Sequence, residues 1–346
     1  MKVQGFWIGV VLAVFAVGMA CAQKIRNQET PASKPAWREQ SLKVGQTERW
    51  FRVYAPENLP ENAPVVVLLH GGTQSMRKIF GPEAGGTREW LALAEAEKFL
   101  LLVPNGTNPR NNDTKGDRQN WNDLRTVRSN ADSQEDDVRF IRELLEWTGK
   151  NYSVDRSRVY VTGASNGGMM TFRLLIEAPE LFAAGAAFIA NLPEERSVLK
   201  QPSVPTPLMI MNGTKDPLVQ WEGGDVAGGR GRTLSSAGTV SWWLQANRAE
   251  STSPVKETLP DRDPSDGCRI YKTVYAPKPN GATVAFYRVE GGGHAMPSQN
   301  HALPDNRLIR RMIGPVCKDA EGAKLAWEFF QGKSRKPAPT TPPTAK

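Results

Sequence analysis

A serine, a histidine and an aspartate stand in this chain where they could share nucleophilic chemistry. Gly163-Ala-Ser165-Asn-Gly167 fits the pattern G-x-S-x-G. Val159, Tyr160 and Val161 before it read as a short buried strand. Met169 to Ala178 after it has helical composition and stops at Pro179. Strand, sharp turn and helix is the context in which such a serine stands clear of a sheet. Glycines two before and two after it remove the Cβ atoms that would collide in so tight a turn. Five residues alone are weak evidence, so partners elsewhere have to decide.

A serine hydroxyl is a poor nucleophile near neutral pH. It needs a base, and the base needs an orienting acid. The three histidines are His70, His294 and His301. Glu290-Gly-Gly-Gly-His294 puts His294 just past a strand end, where a flexible glycine run would let the imidazole reach across the sheet edge. His301 lies in a polar, Pro-flanked stretch and is expected to be exposed. His70 ends the strand before Gly71-Gly72 and is expected to hold that loop. In chain order the acid belongs between serine and histidine, at a strand end. Asp216, in Asn212-Gly-Thr-Lys-Asp216-Pro, fits. Asp225 is the alternative, in a glycine-rich loop with no strand before it. Negative charge developing on a carbonyl oxygen needs preset backbone N–H groups. Asn166, next to the serine at a helix N-terminus, would give one. The other would come from Gly72 or Thr73.

One rival reading is set aside. Thr162-Gly-Ala-Ser-Asn-Gly-Gly-Met169 also resembles the nucleotide-binding turn T-G-x-x-x-G-x-G of short-chain dehydrogenases. Its third glycine is replaced by Met169, and it lies mid-chain rather than after the first strand.

The elements that must position these residues alternate. Val65 to Leu69 and Phe99 to Val103 are continuous apolar runs, typical of strands buried on both faces. Arg49 to Tyr54 reads as an early edge strand. Ala183 to Ala190, Leu208 to Asn212, Cys268 to Tyr275 and Thr283 to Val289 read as further strands. Helices are expected over Thr87 to Phe99, Asp136 to Lys150, Ser236 to Asn247 and Lys324 to Phe330. The pattern predicts a single α/β domain with a doubly wound, mostly parallel sheet. Residues 107–133 form a long polar loop around Trp121, and such loops are often functional.

Residues 1–22 read as a targeting segment, with Lys2, an apolar Phe6 to Met19 and a small-residue Ala20-Cys-Ala22 cleavage site. The apolar run is short for a membrane span. Cys21 keeps a lipid anchor open. Residues 23–46 read as a polar linker, 47–331 as the catalytic domain and 332–346 as a Pro/Thr/Lys-rich disordered tail. A secreted or periplasmic location follows, and there Cys268 and Cys317 are expected to pair. The net charge of +8 sits in the ends. Lys2 accounts for one unit, residues 23–46 for three and residues 331–346 for four, which leaves 47–330 neutral. A basic groove for nucleic acid is therefore not expected.

Leu69-His-Gly-Gly-Thr-Gln, Asp136-Asp-Val-Arg-Phe-Ile, the Ser165 segment, Asn212-Gly-Thr-Lys-Asp-Pro-Leu-Val and Gly291-Gly-Gly-His occur in order. Together they resemble secreted esterases of the polyhydroxybutyrate depolymerase and feruloyl esterase group, including LpqC-like proteins. The resemblance implies an α/β-hydrolase fold with neither metal nor organic cofactor. It implies a Ser165-Asp216-His294 triad, an acyl-enzyme, and a carboxylic ester substrate that is small or polymer-linked. Trp121, Trp221 and Met296 are candidates to line the pocket. Many members carry cysteines near the segment matching Asn120-Trp-Asn-Asp, and this chain has none there. A serine peptidase of the same fold and a non-catalytic binding protein are the alternatives.

Overall fold

Alternation along the strands decides what each residue packs against. In the computed structural model, which describes residues 37–123, 125, 134–197 and 201–335, Val65, Val67 and Leu69 enter one hydrophobic core. Val66 and Leu68 enter a second. The two lie on opposite faces of one sheet, because successive side chains of a strand point to opposite sides. The strands are β1 (Trp37–Val44), β2 (Thr47–Tyr54), β3 (Ala63–Leu69), β4 (Leu100–Pro104), β5 (Val154–Ala164), β6 (Ala184–Phe188), β7 (Leu208–Gly213), β8 (Val255–Thr258), β9 (Arg269–Tyr275) and β10 (Val284–Glu290). Their order across the sheet is β1-β2-β4-β3-β5-β6-β7-β10-β9-β8. From β4 to β10 neighbours are parallel; β1 and β2 at one edge, and β9 and β8 at the other, run antiparallel.

Helices cover both faces. Helices α2 (Asp137–Asn151), α3 (Asn166–Glu177) and α4 (Ser236–Ala246) supply Phe140, Leu144, Phe172 and Trp243 to the first core. Helices α1 (Glu89–Glu97) and α6 (Gly322–Phe330) supply Trp90, Trp327 and Phe330 to the second. The short α5 (Arg307–Ile313) buries none of its residues. No helix among the described residues is long and apolar enough to cross a membrane. The described residues, 37–335, fall within one compact unit.

Three features depart from the sequence reading. Residues 37–44, expected as linker, form β1, so β2 is not an edge strand. The two strands are joined by a tight turn at Gly45, whose φ is 59°, and β1 is held by Trp37 packing 5.0 Å from Phe80 and by Arg52 over the Trp37 ring. The polar residues of β1 face solvent, which is why it reads as linker. Residues 332–335 are not loose either: Tyr160 Oη donates to Lys333 O at 2.7 Å and Arg335 N–H to Ser157 O at 2.8 Å. Helix α5 and strand β8 were absent from the sequence reading, since one is short and the other exposed throughout. Cys268 and Cys317, both buried, are joined by a disulfide across 49 residues of sequence. The expected targeting segment, with Cys21, lies outside the described residues.

Candidate active site

The parallel strands deliver Ser165, Asp216 and His294 to one edge of the sheet, just past the C-terminal ends of β5, β7 and β10. Ser165 has φ 58° and ψ −123°, a conformation costly for a residue with a side chain. The neighbouring glycines explain how the turn is tolerated. A Cβ on Gly163 would sit 2.6 Å from the Gly167 carbonyl carbon, and one on Gly167 would sit 2.4 Å from Leu69 O. The Ser165 N–H donates to Phe188 O at 2.9 Å, tying the turn to β6.

Asp216 is almost fully buried. Its Oδ1 accepts from the N–H groups of Leu218 and Val219 at 2.8 and 2.9 Å. Its Oδ2 lies 2.6 Å from His294 Nδ1. A carboxylate only accepts, so Nδ1 carries a proton, and in the neutral imidazole the lone pair is on Nε2. Histidine and aspartate are thus brought together. Ser165 is half-buried, and its Oγ makes no hydrogen bond among the described residues. Asp225 is ruled out as the imidazole's partner: its side chain is 76% exposed and lies near Arg232. His301 pairs with Glu89 instead.

The glycine run before His294 is not a flexible tether. Cβ atoms on Gly291, Gly292 and Gly293 would lie 2.4 Å from Gly267 O, 2.5 Å from Val289 Cγ1 and 2.2 Å from Ile313 O. The backbone is packed against its neighbours, and the N–H groups of Gly293 and His294 donate to Pro315 O and Ile313 O. Close approach, not mobility, requires these glycines.

Of the backbone donors considered, Asn166 opens α3, so its N–H has no acceptor within the helix. Thr73 N–H is already given to Asn120 Oδ1 at 2.7 Å. Gly72 N–H makes no hydrogen bond among the described residues, and a Cβ on Gly72 would lie 3.5 Å from Asn166 Cβ.

Two pocket candidates have other jobs. Trp121 is fully buried, donates from Nε1 to His70 O at 2.9 Å and lies 4.8 Å from the His70 ring. It supports the loop and offers no surface. Met296 is buried in the second core, against Gly322 of α6. Trp221 is half-buried against Phe286 and lines an open groove of about 530 Å³ with Tyr271, Tyr275 and Arg288.

The sequence reading missed the polar frame beneath the elbow. Asn166 Oδ1 accepts from Trp121 N–H at 2.7 Å, and its Nδ2 donates to Trp121 O and Asp123 Oδ2. Asp123 pairs with Arg125. The same loop is held from below by a buried ion pair of Arg49 with Asp137, whose other oxygen accepts from Asn122 N–H. The one available signal was the density of Asn, Asp and Arg around Trp121.

His70 is fully buried and neutral. Nδ1 donates to Gly71 O and Nε2 accepts from Gly106 N–H. Burial pulls its pKa down from 6.5 to about 4, more than the Gly71 carbonyl opposes it. A base whose pKa falls on folding binds its proton more readily when unfolded. Its contribution is therefore complete above about pH 6.5 and lost as pH falls toward 4. Urea unfolding should show about 2 kcal/mol less stability at pH 5 than at pH 7 from this group. The His70→Gln variant should lack that share; an unchanged pH dependence would disprove the assignment.

The sheet order and the elbow define the α/β-hydrolase fold. An acetyl xylan esterase from Aspergillus awamori superposes with a TM-score of 0.52 over 85% of this chain and 98% of its own, at 18% identity, a likeness of fold alone. Residues 43–274 match the family model described as "Putative esterase". The chain belongs to that family and is a carboxylic ester hydrolase. It is similar to "Putative esterase NocK" of Nocardia uniformis subsp. tsuyamanensis, 26% identical over 88% of this chain and 86% of that protein. It is 35% identical to "Poly(3-hydroxyalkanoate) depolymerase C" of Paucimonas lemoignei over 40% of this chain and 30% of the relative. With "Acetylxylan esterase A" of Emericella nidulans the identity is 26% over 51% of this chain and 54% of that one. The chain thus spans most of the first relative but about a third and about half of the other two.

Proposed function

We propose that the chain is an exported serine esterase that cleaves short-chain acyl esters, free or attached to polymers, through an acyl-enzyme on Ser165. The observation that carries this reading is the contact between Asp216 and His294 at the strand ends beside the elbow. Asp216, fixed by two backbone N–H groups, holds the imidazole with Nε2 as the base. His294 Nε2 takes the Ser165 proton as Oγ attacks the ester carbonyl, then returns it to the leaving alcohol. Water repeats the sequence with the acyl-enzyme and releases the acid. The oxyanion is met by the N–H groups of Asn166 and Gly72, since Thr73 is already engaged. In this reading the third contact of the triad, Ser165 Oγ to His294 Nε2, closes on substrate binding, since such bonds are often long in free enzymes. The names of the relatives, a poly(3-hydroxyalkanoate) depolymerase and an acetylxylan esterase, support a polymer-borne ester as substrate. The disulfide supports export, with residues 1–22 as the signal.

A fluorophosphonate probe tests the reading. It should label the protein once, at Ser165, and abolish turnover of p-nitrophenyl butyrate. Full turnover in protein that carries no label, or label at another residue, would sink it.

A further inference from the structure

Helix α5 lies at the rim of the site and takes no part in the reaction above. The Asn306 side chain caps its start, accepting from the N–H groups of Leu308 and Ile309. Arg310 donates to both oxygens of Asp305, and Gly314, with φ 79°, ends the helix. That end packs against the segments that carry the acid and the base. Ile313 O accepts from His294 N–H, and Pro315 O from Gly293 N–H. A Cβ on Gly314 would sit 2.6 Å from Lys215 O and 3.3 Å from Pro217 Cδ. The helix is thus a fixed part of the wall beside Asp216 and His294.

Four large apolar side chains stand exposed among the described residues, and two of them, Leu308 and Met312, are on this helix. They are 44% and 54% exposed and, one helical turn apart, form one stripe. Arg307 and Arg311 form the stripe beside it. Both are exposed, and neither has a hydrogen-bond or ion-pair partner among the described residues. Ile309 and Ile313, half-buried, mark the side turned toward the protein. Lys215, whose carbonyl meets Gly314, is exposed with its side chain equally unpartnered, a third cation on the same rim.

Apolar and cationic stripes side by side fit one kind of partner. A small anion would pair with the arginines and leave Leu308 and Met312 in water. A second copy of the chain would bring its own arginines against these, and the basic ends of the chain would be repelled as well. A stable protein interface takes about twenty to thirty residues a side, and this patch has only Arg307, Leu308, Arg311 and Met312. A lipid surface demands no matching shape. Apolar side chains enter its headgroup boundary while arginines stay at the phosphates. We propose that α5 docks the protein reversibly on an anionic lipid surface, with the rim that carries Asp216 and His294 turned toward that surface. The docking does not depend on the reaction assigned to Ser165.

The test is a cosedimentation titration with vesicles of phosphatidylcholine alone and of phosphatidylcholine with phosphatidylglycerol. The chain from Gln23 onward is used, so that the apolar Phe6 to Met19 cannot bind lipid. Its basic ends contribute equally to every variant. The wild type should bind the anionic vesicles far better than the neutral ones, and binding should fade between about 0.05 M and about 0.5 M salt. The double variant Arg307→Gln with Arg311→Gln should bind about thirtyfold more weakly, at roughly fivefold for each charge removed. Leu308→Ser with Met312→Ser should bind about tenfold more weakly at unchanged charge. All four side chains are exposed, so the melting midpoint and the turnover of soluble p-nitrophenyl butyrate should barely change. Equal binding to both vesicle types overturns the proposal. So does equal binding by the wild type and both variants, which would leave the basic ends as the lipid-binding part. A fall in the arginine variant alone overturns it too, since the apolar stripe would then be idle. A wild-type dimer that both variants convert to monomer would assign the patch to a second copy instead. If the wild type cleaves no ester, the reading of Ser165 fails and the vesicle result stands by itself.

Discussion

Ser165→Ala is expected to lower kcat on p-nitrophenyl butyrate by roughly 10⁶-fold, to the level left by substrate binding and the oxyanion donors alone. The same change should leave the fold intact. Ser165 Oγ has no hydrogen-bond partner among the described residues, so its removal strands no buried donor or acceptor. Alanine keeps the Cβ that serine already places at φ 58°, and Gly163 and Gly167 keep the turn open. The thermal midpoint should therefore stay within a few degrees while activity disappears. Paired measurement of kcat and the melting curve checks both halves. Turnover above about one per cent of wild type would show that another group attacks the ester, since the loss of a true nucleophile leaves far less. A large drop in the melting midpoint would instead mean that inactivity reflects unfolding.

Much of this arrangement was legible because it depends on local patterns. The run Val65 to Leu69 has no polar residue to mark an outer face, and both faces are indeed covered. The spacing of glycines around Ser165 reported a collision that the coordinates put at 2.4 to 2.6 Å. Asp216 was legible because it falls between serine and histidine in chain order, just past a strand end. Other parts depended on contacts between distant residues. Gly291-Gly-Gly looks like slack in the sequence, and only the approach of Gly267 and Ile313 shows that it is packing. Trp121 and Met296 have the size and polarity of pocket walls, and nothing local reveals that one is sealed over His70 and the other against α6. Strand β1 exposes its polar residues because it lies at the edge of the sheet, and polarity read alone suggested linker. Thr73 and Gly72 looked equivalent until Asn120, nearly fifty residues on, was seen to take one of the two N–H groups.

Asp216→Asn is expected to lower kcat by about 10⁴-fold, less than loss of the serine but large for a change of one atom type. The amide has one oxygen and one NH₂ group. The N–H groups of Leu218 and Val219 both point at the position of Oδ1, so the amide oxygen must stay there. The NH₂ group is then forced toward His294 Nδ1, now 2.6 Å from a carboxylate oxygen. A donor in that place needs an acceptor, so Nδ1 loses its proton and Nε2 gains it. The nitrogen facing the serine then has no lone pair with which to take a proton. The imidazolium that forms during attack also loses the negative charge beside it. Packing should be preserved, since the two side chains have the same shape and both backbone bonds survive. The expected result is a folded protein that binds ester with little change in KM but turns it over about 10⁴-fold more slowly. Asp225→Asn is the control, because Asp225 is exposed beside Arg232 and should change kcat less than twofold in this scheme. Equal effects of the two variants would remove Asp216 from the triad.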